Sequence, residues 1–276
     1  MLPMDDALQP GLYIVATPIG NLSDLSPRAA AVLAGADLIA VEDSRVTAKL
    51  LHHIGVRRPM LPYHDHNADR VRPGLIERMR GAAVALVSDA GTPLISDPGY
   101  KLVRDARAAG IPVTTIPGPS AVVAALTLAG LPTDRFAFFG FLPAKAKGAA
   151  IASAAVFEGS LVFYESGPRL AATLAALAAG LGDRDAAVVR EISKRFEETV
   201  TGSLAELAGR YKEAPPKGEI VIVVGPPVPA PAASEDVENA LREALARLSP
   251  SRAAAEVAAR LGLPRRDVYA LAQRLK

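Results

Sequence analysis

Short apolar runs alternate with stretches of helical period through the first half of the chain, and each junction from run to helix carries turn chemistry. LYIVAT (Leu12–Thr17) leads to a helix near Pro27–Ala34, and DLIAVED (Asp37–Asp43) to one near Arg45–Ile54. PMLPYH gives a short third strand before a helix around Ala68–Arg80, while AVALVSD (Ala83–Asp89) and PVTTIPG (Pro112–Gly118) each feed a further helix. Strands separated by helices predict an α/β fold: a parallel sheet covered on both faces, with ligand loops at the carboxyl ends of its strands.

Beyond GLPTDRFAFFGFLP the pattern changes. Strands SLVFYES, AAVVREI, RFEETVTGS and GEIVIVVG surround helical PRLAATLAALAAGL and LAELAGRYKE, which reads as a second α/β domain with a mixed sheet. Ser203, with Glu206 three residues later, has the capping-box spacing for the last of these helices. The boundary falls near Leu131–Asp134, giving domains over 1–132 and 133–226. The prolines of GPPVPAPAASED exclude a helix or central strand, so 227–235 reads as a stiff linker. Residues 236–276 carry only helical periodicity. Within them SRAAAEVAARLGLPRRDVYALAQRL forms two short helices separated at Gly262, with Pro264 opening the second, a helix-turn-helix pattern.

Composition narrows the chemistry. With 31 Lys+Arg against 29 Asp+Glu in 276 residues the formal charge is only +2, so nucleic-acid binding has to be local. The segment Ser251–Lys276 is such a place, with six basic residues against two acidic ones. The absence of cysteine removes disulfides, thiolate nucleophiles and cysteine-ligated metals. His64 and His66 in YHDHN have no clear third ligand, and no metal is expected. The acidic start MLPMDDALQPG lacks the features of a signal peptide, and the longest uncharged apolar stretches fall short of a membrane span, so a cytoplasmic protein is expected.

Three βα loops share one character: Pro18-Ile19-Gly20-Asn21 after the first strand, SDAGTPLISDPG (Ser88–Gly99) after the fourth, and PGPSA (Pro117–Ala121) after the fifth. Small residues let a ligand approach the backbone, prolines hold the loop shape, and the following helix N-termini offer unpaired N–H groups. A dinucleotide site would need the glycine spacing that TPIGNLSD lacks, and there is no Gly-Lys-Ser/Thr phosphate loop. The pocket therefore suits a ligand without phosphates, such as an adenosyl group with an amino-acid tail, gripped by backbone groups and by side chains such as Asp89 and Ser120. Ser120 is equally suited to cap the helix that follows it.

TPIGNLSDLSPRA, EDSRVTAKLL, LVSDAGTPLISDPGYKLV, IPGPSAVVAAL, FFGFLP and REISKRFEE resemble, in order and spacing, the ribosomal RNA small-subunit methyltransferase I family of the tetrapyrrole-methylase superfamily. The match covers roughly Gly11–Pro226, and the helical tail is similar to that family's C-terminal appendage. The resemblance implies two α/β domains with S-adenosyl-L-methionine in the cleft between them, and a homodimer. The acceptor it implies is a cytidine in the decoding region of small-subunit (16S) ribosomal RNA, methylated on its ribose 2′-oxygen. Pro18, Gly20, Asp89, Gly91, Thr92, Ser120 and Ala121 are then expected to hold the cofactor.

A ribose hydroxyl is a poor nucleophile unless a base takes its proton. Asp43, Glu191 and Lys194 are the candidates, Lys194 only if burial lowers its pKa. Glu42, Asp43 and Arg45 together suggest a substrate-facing strand end. Two other readings compete: methylation of a small tetrapyrrole precursor, which leaves the basic tail without a task, and a DNA-binding regulator, for which RRDVYALAQRL is weakly basic.

Overall fold

The computed structural model describes residues 7–227 and 234–275, and the chain separates into two compact units, Met1–Pro226 and Pro227–Lys276. Most of the proline-rich segment 227–235 lies outside the described residues.

In the first unit five strands, β1 (Gly11–Val15), β2 (Leu38–Val41), β3 (Met60–Pro62), β4 (Ala83–Val87) and β5 (Val113–Ile116), form a sheet of order β3-β2-β4-β1-β5. Every pairing is parallel. The central strands β2 and β4 are buried at every residue, as expected of strands covered on both faces. Helices α1 (Pro27–Gly35) and α2 (Ser44–His53) cover one face through Val32, Leu33, Leu50 and Leu51. Helices α3 (Ala68–Met79) and α4 (Tyr100–Ala108) cover the other through Leu75, Met79 and Leu102. The start of α1 is fixed locally: Ser26 Oγ accepts the Ala29 N–H and Pro27 occupies the first helical position.

Helix α5 (Ala121–Ala129) follows β5 in the chain but packs elsewhere. Val122, Ala125, Leu126 and Ala129 lie against Val162, Ala187, Val189, Val221 and Val223, which belong to a second sheet. That sheet has the order β6-β7-β10-β8-β9, with β6 (Phe136–Phe141), β7 (Ser160–Ser166), β8 (Asp185–Arg190), β9 (Glu198–Ser203) and β10 (Glu219–Val224). Only β6 and β7 pair in parallel; the other pairings are antiparallel, so the sheet is mixed. Its opposite face is covered by α6 (Lys147–Ala155), α7 (Gly167–Leu181) and α8 (Leu204–Glu213). The Ser203–Glu206 capping box is formed reciprocally at the start of α8.

Two elements escape the periodicity. FAFFGF is an edge strand whose register shifts between Phe138 and Phe141, with Gly140 at a φ of 62°. Such a bulge erases the strict alternation by which a strand is read. AKAKGAA contributes its last residues, from Lys147 on, to α6. Strand β9 begins at Glu198 rather than Arg195, because residues 191–197 form a tight turn.

The second unit holds α9 (Ser234–Leu245), α10 (Pro250–Leu261) and α11 (Arg265–Arg274) around their own core of Leu241, Val257, Val268 and small alanines. Gly262 ends α10 in the left-handed region at a φ of 64°, where glycine is free of the Cβ clash. Arg265 donates to Ser251 Oγ at 3.2 Å, tying α11 to α10.

Candidate active site

The three loops meet at the carboxyl end of the first sheet and are stitched by their own polar groups. Thr17 and Gly91 exchange backbone hydrogen bonds of 2.9 and 3.0 Å, and Thr92 Oγ1 donates to the Pro119 carbonyl at 3.0 Å. Gly91 sits at a φ of 80° with the position of a β-carbon 3.3 Å from Ile19, so the residue type serves both conformation and space. Leu94 and Ser96 in the same Ser88–Gly99 loop also take positive φ, 75° and 67°, a strained conformation for side-chain-bearing residues.

These loops enclose a cavity of about 240 Å³ against the second sheet. Asp89, Gly91, Thr92, Ser120 and Ala121 line it. Ser120 occupies the N-cap position of α5 but makes no side-chain cap bond there, which leaves its hydroxyl for a ligand. From the other sheet come Phe141, Tyr164, Glu219 and Val221, together with Glu191, Ile192 and Lys194 of the 191–197 turn. Lys194 Nζ lies 3.0 Å from Glu191 Oε1.

Pro18 and Gly20 line a neighbouring cavity of about 300 Å³, bounded also by Asn21, Val46, Thr47 and Lys49. Ile19, Asp89 and Ala90 border both spaces. Gly20 serves packing between the sheets: a β-carbon there would stand 2.6 Å from the Ile192 carbonyl oxygen.

Asp43 lines neither cavity. Its carboxylate caps α2, accepting the Arg45 N–H at 2.8 Å, and pairs with the Arg45 guanidinium. Those hydrogen bonds hold it at about 2, too acidic for a useful base. The Asp43 backbone N–H instead donates to Asp89 Oδ1 at 3.0 Å. The neighbouring Glu42 faces the cavity. Burial raises its carboxyl, as burial also raises Asp89.

Asp97 is the residue that sequence reasoning missed. It lies in the cavity wall, and burial pushes its carboxyl up to about 6, with the charges of Glu42, Asp89 and Glu219 adding to the shift. Its only signal in the sequence was its place inside SDAGTPLISDPG, one residue after the strained Ser96. Tyr164 beside it is pushed up to about 12 by burial. Across the cavity, then, carboxylates from the first sheet's loops face a Lys–Glu pair from the second sheet. Among the described residues no group of three or more His, Asp or Glu side chains is placed to hold a metal. No described helix is long and apolar enough to cross a membrane.

A parallel sheet and a mixed sheet closing on a ligand cavity define the class: residues 11–208 match the Tetrapyrrole (Corrin/Porphyrin) Methylases. Residues 231–276 match the RsmI C-terminal HTH domain. A ribosomal RNA small subunit methyltransferase I from Erythrobacter litoralis is 52% identical over 98% of this chain and 97% of its own. The protein of that name from Mesorhizobium japonicum is 47% identical over 95% of this chain and 91% of its own. Among solved structures, a uroporphyrin-III C-methyltransferase from Thermus thermophilus complexed with S-adenosylhomocysteine superposes with a TM-score of 0.55 at 22% identity, over 78% of this chain and 97% of that one. The chain belongs to the ribosomal RNA small subunit methyltransferase I family, a branch of the tetrapyrrole methylases.

Proposed function

We propose that this protein transfers a methyl group from S-adenosyl-L-methionine to small-subunit ribosomal RNA, at the ribose 2′-oxygen of a cytidine in the decoding region. The observation that carries the reading is the excess of carboxylates around the cavity. Glu42, Asp89 and Asp97 from the first sheet's loops and Glu219 from the second sheet supply negative charge, and Lys194 is paired with Glu191. A sulfonium with an ammonium tail is a cation, and buried carboxylates attract it most strongly where water is excluded. Ile19, Ile95 and Val221 give apolar wall for the adenine. The residues present therefore fit the cofactor.

When bound, the cofactor supplies an electrophilic methyl group that needs no metal to activate it. The chain's own residues do the rest. Ile19, Asp89 and Ala90, which border both cavities, position the acceptor ribose beside the cofactor pocket. Glu191 takes the proton of the 2′-hydroxyl as the new C–O bond forms and the C–S bond breaks, and later passes it to solvent. Lys194 Nζ donates to the same oxygen as its charge develops. Glu191 sits at a φ of 52°, strain of the kind found where a functional group is held in place.

The RNA acceptor is favoured over a tetrapyrrole by the relatives' names and by the C-terminal helical unit, which a small-molecule methyltransferase does not require. Tritiated S-adenosylmethionine tests this with small ribosomal subunits, bare RNA and uroporphyrinogen as acceptors. Label in RNA should survive alkaline hydrolysis as a dinucleotide, since a 2′-O-methyl group blocks strand cleavage. Label in uroporphyrinogen alone, or in alkali-labile nucleotides, would overturn the reading.

A further inference from the structure

Residues 191–197 form a turn braced far beyond what a solvent-exposed connection needs. The Lys194 N–H donates to the Glu191 carbonyl at 3.0 Å, the Glu197 N–H to the Lys194 carbonyl at 3.2 Å, and the Ser193 N–H to Glu197 Oε2 at 2.7 Å. Ser193 Oγ bonds Asp24 of the first loop region, and both Glu191 and Ser193 are held at positive φ. Ile192 points inward and packs against the core between α5 and the second sheet. Phe196 does the opposite: it stands 67% exposed, with the Arg195 guanidinium carbon 5.5 Å from its ring centroid.

An exposed phenylalanine gains nothing from burial, and flexible surface turns do not hold one in place. Here a hydrogen-bonded turn presents the ring, backed by a cation, two residues along the chain from Lys194, which lines the cavity with Glu191 and Ile192. An aromatic face beside a guanidinium is the chemistry that receives an unstacked nucleobase, with the cation left to meet the adjoining phosphate. We propose that Phe196, with Arg195, is a stacking platform for a base of the acceptor RNA next to the nucleotide that enters the cavity. The inference rests on the RNA-methylation reading and adds to it a residue that grips the strand outside the reacting centre.

The chain contains no tryptophan, so Phe196→Trp makes a single fluorescent reporter at the proposed platform. With small ribosomal subunits as acceptor, Phe196→Ala should raise KM for the subunit about tenfold, equivalent to about 1.4 kcal/mol. It should leave kcat, S-adenosylmethionine affinity and sedimentation unchanged. Phe196→Trp should keep wild-type KM, and its emission should be quenched by oligocytidylate but not by S-adenosylmethionine. An unchanged KM for Phe196→Ala, a shift in its oligomeric state that marks the ring as a protein–protein contact, or emission that oligocytidylate leaves unmoved would each overturn the platform. If the wild-type protein itself transfers no methyl to the subunit, the parent reading fails first, and this inference fails with it.

Discussion

Gly20 and Lys194 touch across the two sheets: a β-carbon added to Gly20 would stand 2.6 Å from Lys194 Cγ, as close as it would come to the Ile192 carbonyl oxygen. The first loop and the 191–197 turn can close on one another only because residue 20 lacks a side chain. The Lys194–Glu191 pair takes its position in the cavity wall from that contact.

Gly20→Ala should therefore push the turn outward. Overpacking of this kind costs about 1–3 kcal/mol, and the Ile192 carbonyl cannot swing aside as a side-chain tip could. Urea titration should show a lower midpoint, and methyl transfer should fall more than cofactor affinity does. A variant with wild-type stability and turnover would show that the two segments adjust freely.

Asp89→Ala removes a carboxylate that borders both cavities and accepts the Asp43 N–H. S-adenosylmethionine binding, measured by calorimetry on folded protein, should weaken at least tenfold, about 1.4 kcal/mol. Unchanged affinity would place the cofactor away from this loop.

Asp97 should make cofactor binding pH-dependent. Its raised carboxyl is neutral below about 6 and anionic above it, so affinity for the cationic cofactor should rise by roughly tenfold between pH 5 and 7. The linkage to folding has the opposite sign. The unfolded carboxyl ionises near its ordinary value of about 4, so the free protein loses stability between there and about 6. Asp97→Asn should flatten both profiles; a binding curve of unchanged slope would remove Asp97 from the cofactor's surroundings.

Glu191→Gln keeps size and hydrogen bonding but cannot take a proton. Turnover should drop by about 10²–10⁴ with cofactor affinity nearly unchanged, as expected for loss of a general base. Equal loss in Lys194→Ala with full activity in Glu191→Gln would assign the proton to another group.

Truncation after Pro226 removes a unit that has its own core, so the remaining chain should bind S-adenosylmethionine as the full chain does and turn over ribosomal RNA less well at higher salt. Arg265→Ala with Arg266→Ala should lower the magnitude of the salt slope by up to ~2. Because Arg265 also bonds Ser251, Arg266→Ala alone separates phosphate contact from damage to the helix pair. Loss of cofactor binding on truncation would make the unit a structural support.

Local pattern settled much of this protein. The alternation of LYIVAT, DLIAVED and AVALVSD with helical segments determined a parallel sheet, since such strands cannot pair as hairpins. The capping box at Ser203 and the helix break at Gly262 depend on residues a few positions apart, and they were legible for that reason. The small residues of Ser88–Gly99 predicted a loop that a ligand could approach, and several of them line the cavity.

Tertiary structure decided which neighbours do what. Glu42 and Asp43 are adjacent and chemically alike, yet one faces the cavity and the other caps α2. That choice turns on where β2 ends against β4, a relation between segments far apart in the chain. Composition likewise left open that α5 covers the second sheet, that Gly20 receives Lys194, and that burial raises Asp97. Each depends on what a second segment brings to the same point in space, and a period read along one segment carries no record of the other.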